Sequence, residues 1–444
     1  MKKLKTLSEG DFLKVFFGFL SLCFLVAAVC MQDRSTMFPG LWQILSQPCK
    51  ISTNYFALGG YAATFLNMGL VCAISLGLFV AFKGTPNNVS TLAVILTTGF
   101  GSWGINILNI WPTIFGVMIC ALVKKEKFGT QVNAMLFSTG IAPLISDLMV
   151  RYPHGEVVGF NLTGVLLALF VGFLIGFFLP AGLAHSPKVH KGFDLYSAAL
   201  PIGMTAFFLQ ATLFKTMGVD LPAAPDVSTL QVASQMTANV FCLVVFGICI
   251  AAAFWLGCKP KDYWRLLTDP ALVTNFSSTY GNAVFLMNVG VFGLFILGYY
   301  NLIGATFNGV TFGIIFCMLA TCNSGSHPGN VWPIMLGYFL TSLIFGWFSA
   351  RLGGSFIMTI NAQAICVGLC YANGLSPIAD KYGWQFGTLA GGMHYLLVTS
   401  VPALHGSYCL YNGGFTAALI CIILVPQLEK FMKTKDERRA LKVK

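Results

Sequence analysis

The sequence predicts an all-α polytopic membrane protein with about 14 spans, arranged as two inverted seven-span repeats with short or re-entrant broken helices. The composition is the first observation behind this prediction. Of the 444 residues, 56% are hydrophobic and 9% are charged, and the mean hydropathy is +0.77. Soluble domains carry about 25% charged residues, so this chain has too few to cover a surface in water. The net charge of +11 lies in loops and tails, which excludes a basic nucleic-acid-binding face.

The second observation is a series of apolar runs, most of them long enough to cross a hydrocarbon core about 30 Å thick. They fall into seven per half: 15–31, 55–82, 89–103, 106–123, 131–150, 158–183 and 193–216, then 239–257, 282–302, 308–322, 330–350, 355–374, 384–401 and 409–426. We therefore divide the chain into a first repeat at 1–238 and a second repeat at 239–444, which ends in a basic tail.

Basic residues predict how these spans are oriented. With a cytoplasmic N-terminus, the outside loops hold five Lys and Arg, and the other 21 of the 26 lie inside. The five are Arg34, Lys50, Arg151, Lys215 and Arg351. This distribution satisfies the positive-inside rule and predicts that both termini are cytoplasmic.

An internal duplication is the third observation. A shift of 221 residues, which we call the repeat shift, aligns 53–116 with 274–337 without a gap, and at least thirteen aligned positions are identical, where about four or five are expected by chance. The identities are Thr53/Thr274, Asn54/Asn275, Gly60/Gly281, Asn67/Asn288, Gly69/Gly290, Gly77/Gly298, Asn87/Asn308, Val89/Val310, Gly104/Gly325, Asn109/Asn330, Trp111/Trp332, Pro112/Pro333 and Gly116/Gly337. Further on, Gly140 and Pro143 align with Gly374 and Pro377.

An odd number of spans per repeat predicts that the second repeat is inverted in the membrane. The linker at 218–238 carries two Asp and no Lys or Arg, which agrees with an outside position. Inverted repeats are typical of secondary transporters, whose sites lie near the midplane where short, Gly- or Pro-interrupted helices meet. The duplication therefore favours a transporter over an enzyme.

The short segments 89–101 and 308–321 predict where such a site lies. Each covers only about 20 Å as a helix, so we expect the chain to turn within the membrane before an Asn-x-Trp-Pro helix start. The candidate substrate-binding residues cluster around these turns: Asn67, Asn288, Ser102, Ser324, Asn109, Asn330, Trp111, Trp332 and His327. Each also has a structural alternative, because Asn can join helices and Trp can mark the membrane interface.

A second pair of breaks, at 140–143 and 374–377, is followed by Asp147 and Asp380. These two carboxyls and His394, which lies within a span, are the candidates for ion coupling. Helix ends and loops are the alternative positions for the two Asp residues. The sequence predicts no catalytic residue, no metal site and no cofactor.

The Asn109-Ile110-Trp111-Pro112 motif after a Gly-rich break, the start at Thr53-Asn54-Tyr55-Phe56 and the duplicated layout resemble an uncharacterised family of bacterial multi-pass membrane proteins. The resemblance covers most of the chain and implies a bacterial cytoplasmic membrane location, but no substrate. At the level of the fold, the arrangement is similar to nucleobase and anion transporters and to urea transporters, although neither signature motif is present.

We therefore expect a permease, and not an enzyme, that moves a small solute through a site at the repeat interface. The alternatives are a channel-like facilitator for a neutral solute such as urea and an intramembrane lipid-modifying enzyme. The expected partners are the solute, Na⁺ or H⁺ as a coupling ion, and the lipid bilayer, without nucleic acid. A homo-oligomer is compatible with the sequence.

Overall fold

The computed structural model describes residues 7–152, 156–217, 234–268 and 275–443, which are helical wherever they have regular structure. The first half contains α1 Glu9–Cys30, α2 Met37–Ser46, α3 Tyr55–Gly59, α4 Tyr61–Ala81, α5 Asn88–Phe100, α6 Trp111–Val123, α7 Phe128–Ser138, α8 Ala142–Arg151, α9 Leu162–His190 and α10 Ala199–Gln210. The second half contains α11 Gln235–Leu256, α12 Pro260–Thr268, α13 Phe276–Thr279, α14 Asn282–Leu302, α15 Gly309–Leu319, α16 Pro328–Arg351, α17 Gln363–Ala372, α18 Ser376–Tyr382, α19 Trp384–Val398, α20 Val401–Leu404, α21 Asn412–Phe431 and α22 Lys435–Val443. Most of the predicted linker, 218–233, and Thr274 lie outside the described residues.

Eight helical segments of the described chain are long and apolar enough to cross a membrane, which confirms the predicted class of protein. They are Glu9–Cys30, Tyr61–Ala81, Phe128–Arg151, Leu162–His190, Gln235–Leu256, Asn282–Leu302, Pro328–Arg351 and Asn412–Leu441. Other predicted spans are shorter than expected. Helix α6 has 13 residues, α17 has 10 and α19 has 15, because turns, 3₁₀ segments and prolines interrupt the apolar runs.

The duplication is visible in the ends of the helices. Helices α4 and α14 occupy positions related by the repeat shift, and each begins after a glycine with positive φ, 87° at Gly60 and 90° at Gly281. Asn87 caps α5 and Asn308 caps α15, each in a reciprocal capping box with the hydroxyl side chain three residues later. Identical residues therefore specify identical local structure in both halves.

Helices α5 and α6 form a helical hairpin, which we call hairpin 1. The chain enters α5 and leaves α6 at the same place, because the rings of Phe82 and Phe128 lie 5.1 Å apart. The turn between the two helices, residues 101–110, is tip 1. In the second half, α15 and α16 form hairpin 2, and its turn at 320–327 is tip 2. The predicted turn after each short segment is therefore present.

The two hairpins cross with α5 and α15 antiparallel. Near one end, the Asn54 side chain accepts a hydrogen bond from the Gly309 backbone, which starts α15, while the Tyr55 backbone donates to the Ser102 carbonyl just after α5. At the crossing, the Cys317 thiol lies 4.0 Å from the Leu96 carbonyl oxygen. The repeat shift relates these two residues, so a pseudo-two-fold axis passes between them. All side chains from Ser90 to Phe100 and from Gly309 to Leu319 are buried.

Glycines allow the return helix of each hairpin to touch a neighbouring helix. A Cβ added at Gly176 of α9 would lie 2.1 Å from the Thr113 carbonyl oxygen of α6. In the second half, a Cβ at Gly391 of α19 would lie 2.4 Å from the Ile334 carbonyl oxygen of α16. The repeat shift also relates Thr113 to Ile334. Close backbone contact through small residues is a common way for membrane helices to pack.

Candidate functional site

Asn67 and Asn288 hold the two tips in place. The Asn67 Nδ2 group donates to the carbonyl oxygens of Gly101 and Ile105, at 2.7 and 2.9 Å. The Asn288 Nδ2 group donates to the carbonyl oxygens of Cys322 and Ser326, at 2.8 and 3.0 Å, which occupy the equivalent positions of tip 2. Both side chains are completely buried. They satisfy backbone groups that no helix pairs, which is the structural alternative considered for them.

Asn109 and Asn330 tie each tip to the helix that follows the next break. Their Nδ2 groups donate to Gly104 and Gly325 carbonyl oxygens at 2.9 and 2.8 Å. The Asn109 Nδ2 group also donates to Ser146 Oγ at 2.9 Å, and the Asn330 Nδ2 group also donates to Asp380 Oδ2 at 2.7 Å. The last two contacts identify which residues of α8 and α18 correspond.

Ser146, and not Asp147, is therefore the counterpart of Asp380. The sequence named Asp147 and Asp380 together only because each follows one of the two breaks. The hydrogen bonds of the two Asn side chains pair Ser146 with Asp380. After the hairpins, the offset between the halves becomes larger than the repeat shift, and the offset that aligns Gly140 with Gly374 also aligns Ser146 with Asp380. Asp147 instead accepts hydrogen bonds from Arg151 Nε at 3.0 Å and from the Tyr408 hydroxyl at 3.0 Å.

A basic residue lies close to this ion pair, in the loop between α2 and α3. Lys50 is 5% exposed, and its Nζ lies 5.6 Å from the centroid of the Tyr408 ring. Burial lowers the pKa of the Lys50 ammonium group, the Asp147 carboxylate partly opposes this shift, and Arg151 adds to it. The predicted coupling residue Asp147 is thus part of a charge cluster at a helix end.

A polar network lies beside tip 2, and we call it the tip-2 network: Glu9, Thr91, Asn275, Ser277 and Asn323. The Asn323 Oδ1 atom accepts from the Ser277 backbone at 2.8 Å, and its Nδ2 group donates to the hydroxyls of Ser277 and Thr91 at 3.0 and 3.1 Å. The Glu9 carboxylate accepts from the Ser277 hydroxyl at 2.9 Å and from Asn275 Nδ2 at 2.7 Å. A cavity of about 440 Å³ opens onto Glu9 and Ser277.

Two of the equivalent positions beside tip 1 are aromatic, whereas the positions of Asn275 and Asn323 are matched by polar residues there. The repeat shift relates Ser277 to Phe56 and Thr91 to Phe312, and the two rings lie 5.5 Å apart. The Phe65 ring packs on both, with centroid distances of 5.9 and 5.5 Å. Asn323 corresponds to Ser102, whose hydroxyl donates to the Gly99 carbonyl oxygen of its own helix end. The two tips share a scaffold, but one is surrounded by polar groups and the other by rings.

A second cavity, of about 360 Å³, brings together three predicted residues: Asn330, Trp332 and Asp380. The indole of Trp332 stacks on that of Trp384 with centroids 6.0 Å apart. Lys435 and Arg438 of α22 also line this cavity, and the Arg438 guanidinium donates to the Tyr382 carbonyl oxygen. This cavity lies between the start of α16 and the basic C-terminal helix.

The remaining predicted residues make hydrogen bonds to other groups of the protein. The Trp111 indole donates to the Ile107 carbonyl oxygen at 2.9 Å, and the Ser324 hydroxyl donates to the Asn88 carbonyl oxygen at 3.4 Å. His327 Nδ1 accepts from the Gly329 backbone and caps α16. The His394 ring lies between the Tyr338 hydroxyl, at 2.6 Å, and the Gly413 carbonyl oxygen, at 2.8 Å. These residues are separate from both cavities.

Sequence reasoning missed most of the tip-2 network, namely Glu9, Thr91, Ser277 and Asn323. The search looked for residues identical in both halves, and identity marks the common scaffold. A change from aromatic to polar at matched positions is the signal that distinguishes one tip from the other. Among the described residues, no group of three or more His, Cys, Asp and Glu is placed to hold a metal ion.

The described fold and site define an all-helical membrane protein with duplicated halves. The chain belongs to the family described as "Protein of unknown function (DUF1576)", whose model matches residues 33–215 and 259–430. The two matches confirm the resemblance to an uncharacterised family with duplicated halves. No curated protein and no solved structure matches the chain.

Proposed function

We propose that this protein is a permease, and not an enzyme, that moves a small solute across a bacterial cytoplasmic membrane. The observation that carries the proposal is the antiparallel crossing of hairpins 1 and 2 at Leu96 and Cys317. Equivalent helices that run in opposite directions support an inverted repeat, in which fourteen helical segments form two units of seven. In this arrangement both termini are cytoplasmic, and tip 2 faces the cytoplasm.

A carrier needs two related conformations that open its site to opposite sides, and an inverted repeat provides them. Each tip has the same anchors, Asn67 and Asn109 for tip 1 and Asn288 and Asn330 for tip 2. Rings pack beside tip 1, where a cavity of about 1120 Å³ also opens onto Phe56, while polar groups surround tip 2. This difference in side-chain chemistry supports two states in which the arrangements around the tips exchange during transport.

The chemistry of the tip-2 network supports a small polar solute. Its groups are the amides of Asn275 and Asn323, the hydroxyls of Thr91 and Ser277 and the carboxylate of Glu9. Amides and hydroxyls both donate and accept, so they suit a neutral or zwitterionic molecule. The tight burial of α5 and α15 at the crossing supports a carrier over an open facilitator.

The test begins with the thermal stability of the purified protein against amino acids, nucleobases, urea, small carboxylates, inorganic anions and vitamins. We expect a transported solute to raise Tm, because a ligand that binds only the folded state stabilises it by mass action. Uptake of that solute into proteoliposomes should then fall at least tenfold in Asn323→Ala. The control is Gln427→Ala on the exposed surface of α21, away from both tips, which should retain uptake.

Two results would contradict the proposal. Equal uptake by Asn323→Ala and the wild type would remove the tip-2 network from the transport path. Wild-type proteoliposomes that take up no member of the panel faster than protein-free liposomes would contradict the permease itself. Membrane insertion is checked for every variant by size-exclusion profile.

A further inference from the structure

Four buried side-chain oxygens beside tip 2 have no hydrogen-bond partner among the described residues. They are Asp194 Oδ2, Ser326 Oγ, Asn373 Oδ1 and Ser376 Oγ. Asp194 is 2% exposed and the other three are fully buried. Buried polar groups are almost always paired, so four orphaned oxygens in neighbouring segments require a ligand, such as water or an ion.

The three segments that carry these oxygens meet at Leu195, between α9 and α10. The Leu195 backbone donates to the Gly374 carbonyl oxygen at 3.1 Å, in the 3₁₀ break between α17 and α18. The Leu195 side chain lies 3.3 Å from the position of a Cβ added at Gly325 in tip 2. Thr321 joins the other two segments, because its hydroxyl accepts from Asn373 Nδ2 at 2.9 Å and its carbonyl oxygen accepts from the Ser326 backbone at 3.2 Å.

The first half contains the same framework without these oxygens. The Leu410 backbone donates to the Gly140 carbonyl oxygen at 2.9 Å, which matches the Leu195 contact with Gly374. The four equivalent residues are Cys409, Ile105, Thr139 and Ala142. The one hydroxyl among them, that of Thr139, donates to the Leu136 carbonyl oxygen. The fold therefore does not need the four oxygens, which is the reason to look for a ligand.

The Asp194 carboxylate adds a charge to this group. Its Oδ1 atom accepts from the Tyr196 backbone at 2.9 Å, while the described ion pairs of the protein do not include it. A buried carboxylate without a cation is costly. One carboxylate with neutral amide and hydroxyl oxygens matches a hard cation of single charge, whereas Ca²⁺ sites use several carboxylates.

We propose that Asp194, Ser326, Asn373 and Ser376 bind a monovalent cation of the sodium class beside tip 2. The cation would join the loop after α9, the tip of hairpin 2 and the break between α17 and α18. The Tyr196 hydroxyl, which donates to the Cys317 carbonyl oxygen at 2.8 Å, connects the same loop to the hairpin crossing. A role in coupling ion and solute rests on the proposed permease function, whereas binding of the cation does not.

The experiment measures Tm of the purified full-length protein as NaCl replaces choline chloride at constant ionic strength, with KCl in parallel. We expect a saturable rise of several degrees with Na⁺ and no rise with choline. Asp194→Asn should lose this shift, and Ser376→Ala should need at least tenfold more Na⁺ for half of it. Cys409→Ala, at the position equivalent to Asp194, is the matched control and should keep the wild-type Na⁺ response.

The proposal is overturned if choline gives the same rise as Na⁺ or if Asp194→Asn keeps the Na⁺ shift. If Asp194→Asn does not fold, an undiminished Na⁺ response in both Ser326→Ala and Ser376→Ala overturns it instead. A stability that depends on pH through Asp194 but not on Na⁺ would assign a proton to the site, against the proposal. Solute uptake without any Na⁺ response would leave the permease intact and remove only the cation site.

Discussion

Asparagines at matched positions of the two halves form the same hydrogen bonds, and this shows how single residues build the hairpins. At membrane depth no bulk water is present to pair an exposed carbonyl, so a side chain must do it. Asn67 and Asn288 each pair two carbonyl oxygens of a tip. The sequence identified both residues through the duplication. Their role as anchors could not be predicted, because it depends on which carbonyls the turn leaves unpaired.

Removal of one anchor should destabilise its tip. Asn288→Ala leaves the carbonyl oxygens of Cys322 and Ser326 without their partner, at a cost of about 1–3 kcal/mol for each buried group. We expect a clear fall in Tm by fluorescence-detected size-exclusion chromatography. Gln427→Ala, on an exposed surface of α21, is the control and should change little. An unchanged Tm in Asn288→Ala would show that Asn288 is not an anchor.

Two positions that carry rings beside tip 1 carry hydroxyls beside tip 2. We therefore expect substitutions at equivalent positions to lower the free energy of unfolding by different amounts. Phe312→Ala removes a buried ring that contacts Phe56 and Phe65, and such changes cost about 3–5 kcal/mol. Thr91→Ala, its counterpart, removes one hydroxyl that accepts from Asn323, a loss of about 1 kcal/mol. The measurement is the Tm of the two variants. A similar loss in both would contradict the distinction between the tips.

At the scale of the elements, the short helices were the most predictable feature. The segments at 89–101 and 308–321 are too short to span, and both turn back as hairpins in the structure. The lengths of the return helices were not predictable, since α6 has 13 residues and α16 has 24. The sequence predicted a single apolar segment at 131–150 with a break at 140–143. The structure has one helical segment, Phe128–Arg151, in which the 3₁₀ segment Thr139–Ile141 lies between α7 and α8.

Because α6 and α9 touch through a glycine, one methyl group added at this contact should lower the stability of the protein. Gly176→Ala places a Cβ against the Thr113 carbonyl oxygen and the Val117 nitrogen, at 2.1 and 2.6 Å. We expect a lower Tm, because backbone must move to admit the methyl group. Gly77→Ala, in the interior of α4, meets no atom within 4 Å and should be neutral or stabilising. Equal behaviour of the two variants would contradict the close contact.

For the whole molecule, the repeat explains why the architecture could be inferred and the site could not. The duplication, the membrane class and the turns came from residues that the halves share, such as Asn109 and Asn330. The site is built from residues that differ, including Asn323 and Asp194. Three segments distant in the chain bring Asp194 to tip 2. Asp194 and Asn323 are about 130 residues apart in the sequence, and no sequence pattern indicates that positions so distant lie close together in the fold.

The orientation of the protein in the membrane can be tested by labelling Cys30, which is the exposed residue among its 14 cysteines. Cys30 ends α1, on the side predicted to lie outside. An impermeant maleimide should therefore label wild-type protein in intact cells, and Cys30→Ser should abolish the labelling. A Lys433→Cys change in the Cys30→Ser background should react only after permeabilisation. The reverse pattern of labelling would invert the proposed topology.

The contact between Leu96 and Cys317 also bears on the origin of the chain. Under the inverted arrangement, two copies joined through such an axis must have faced opposite ways before they were fused. The ancestor was then a polypeptide of half this length that inserted in both orientations and paired with itself. Under that arrangement, an ancestor that inserted both ways would have had balanced charge at its ends. The bias of Lys and Arg, the rings near one tip and the oxygens near the other would then date from after the fusion, when each half could specialise.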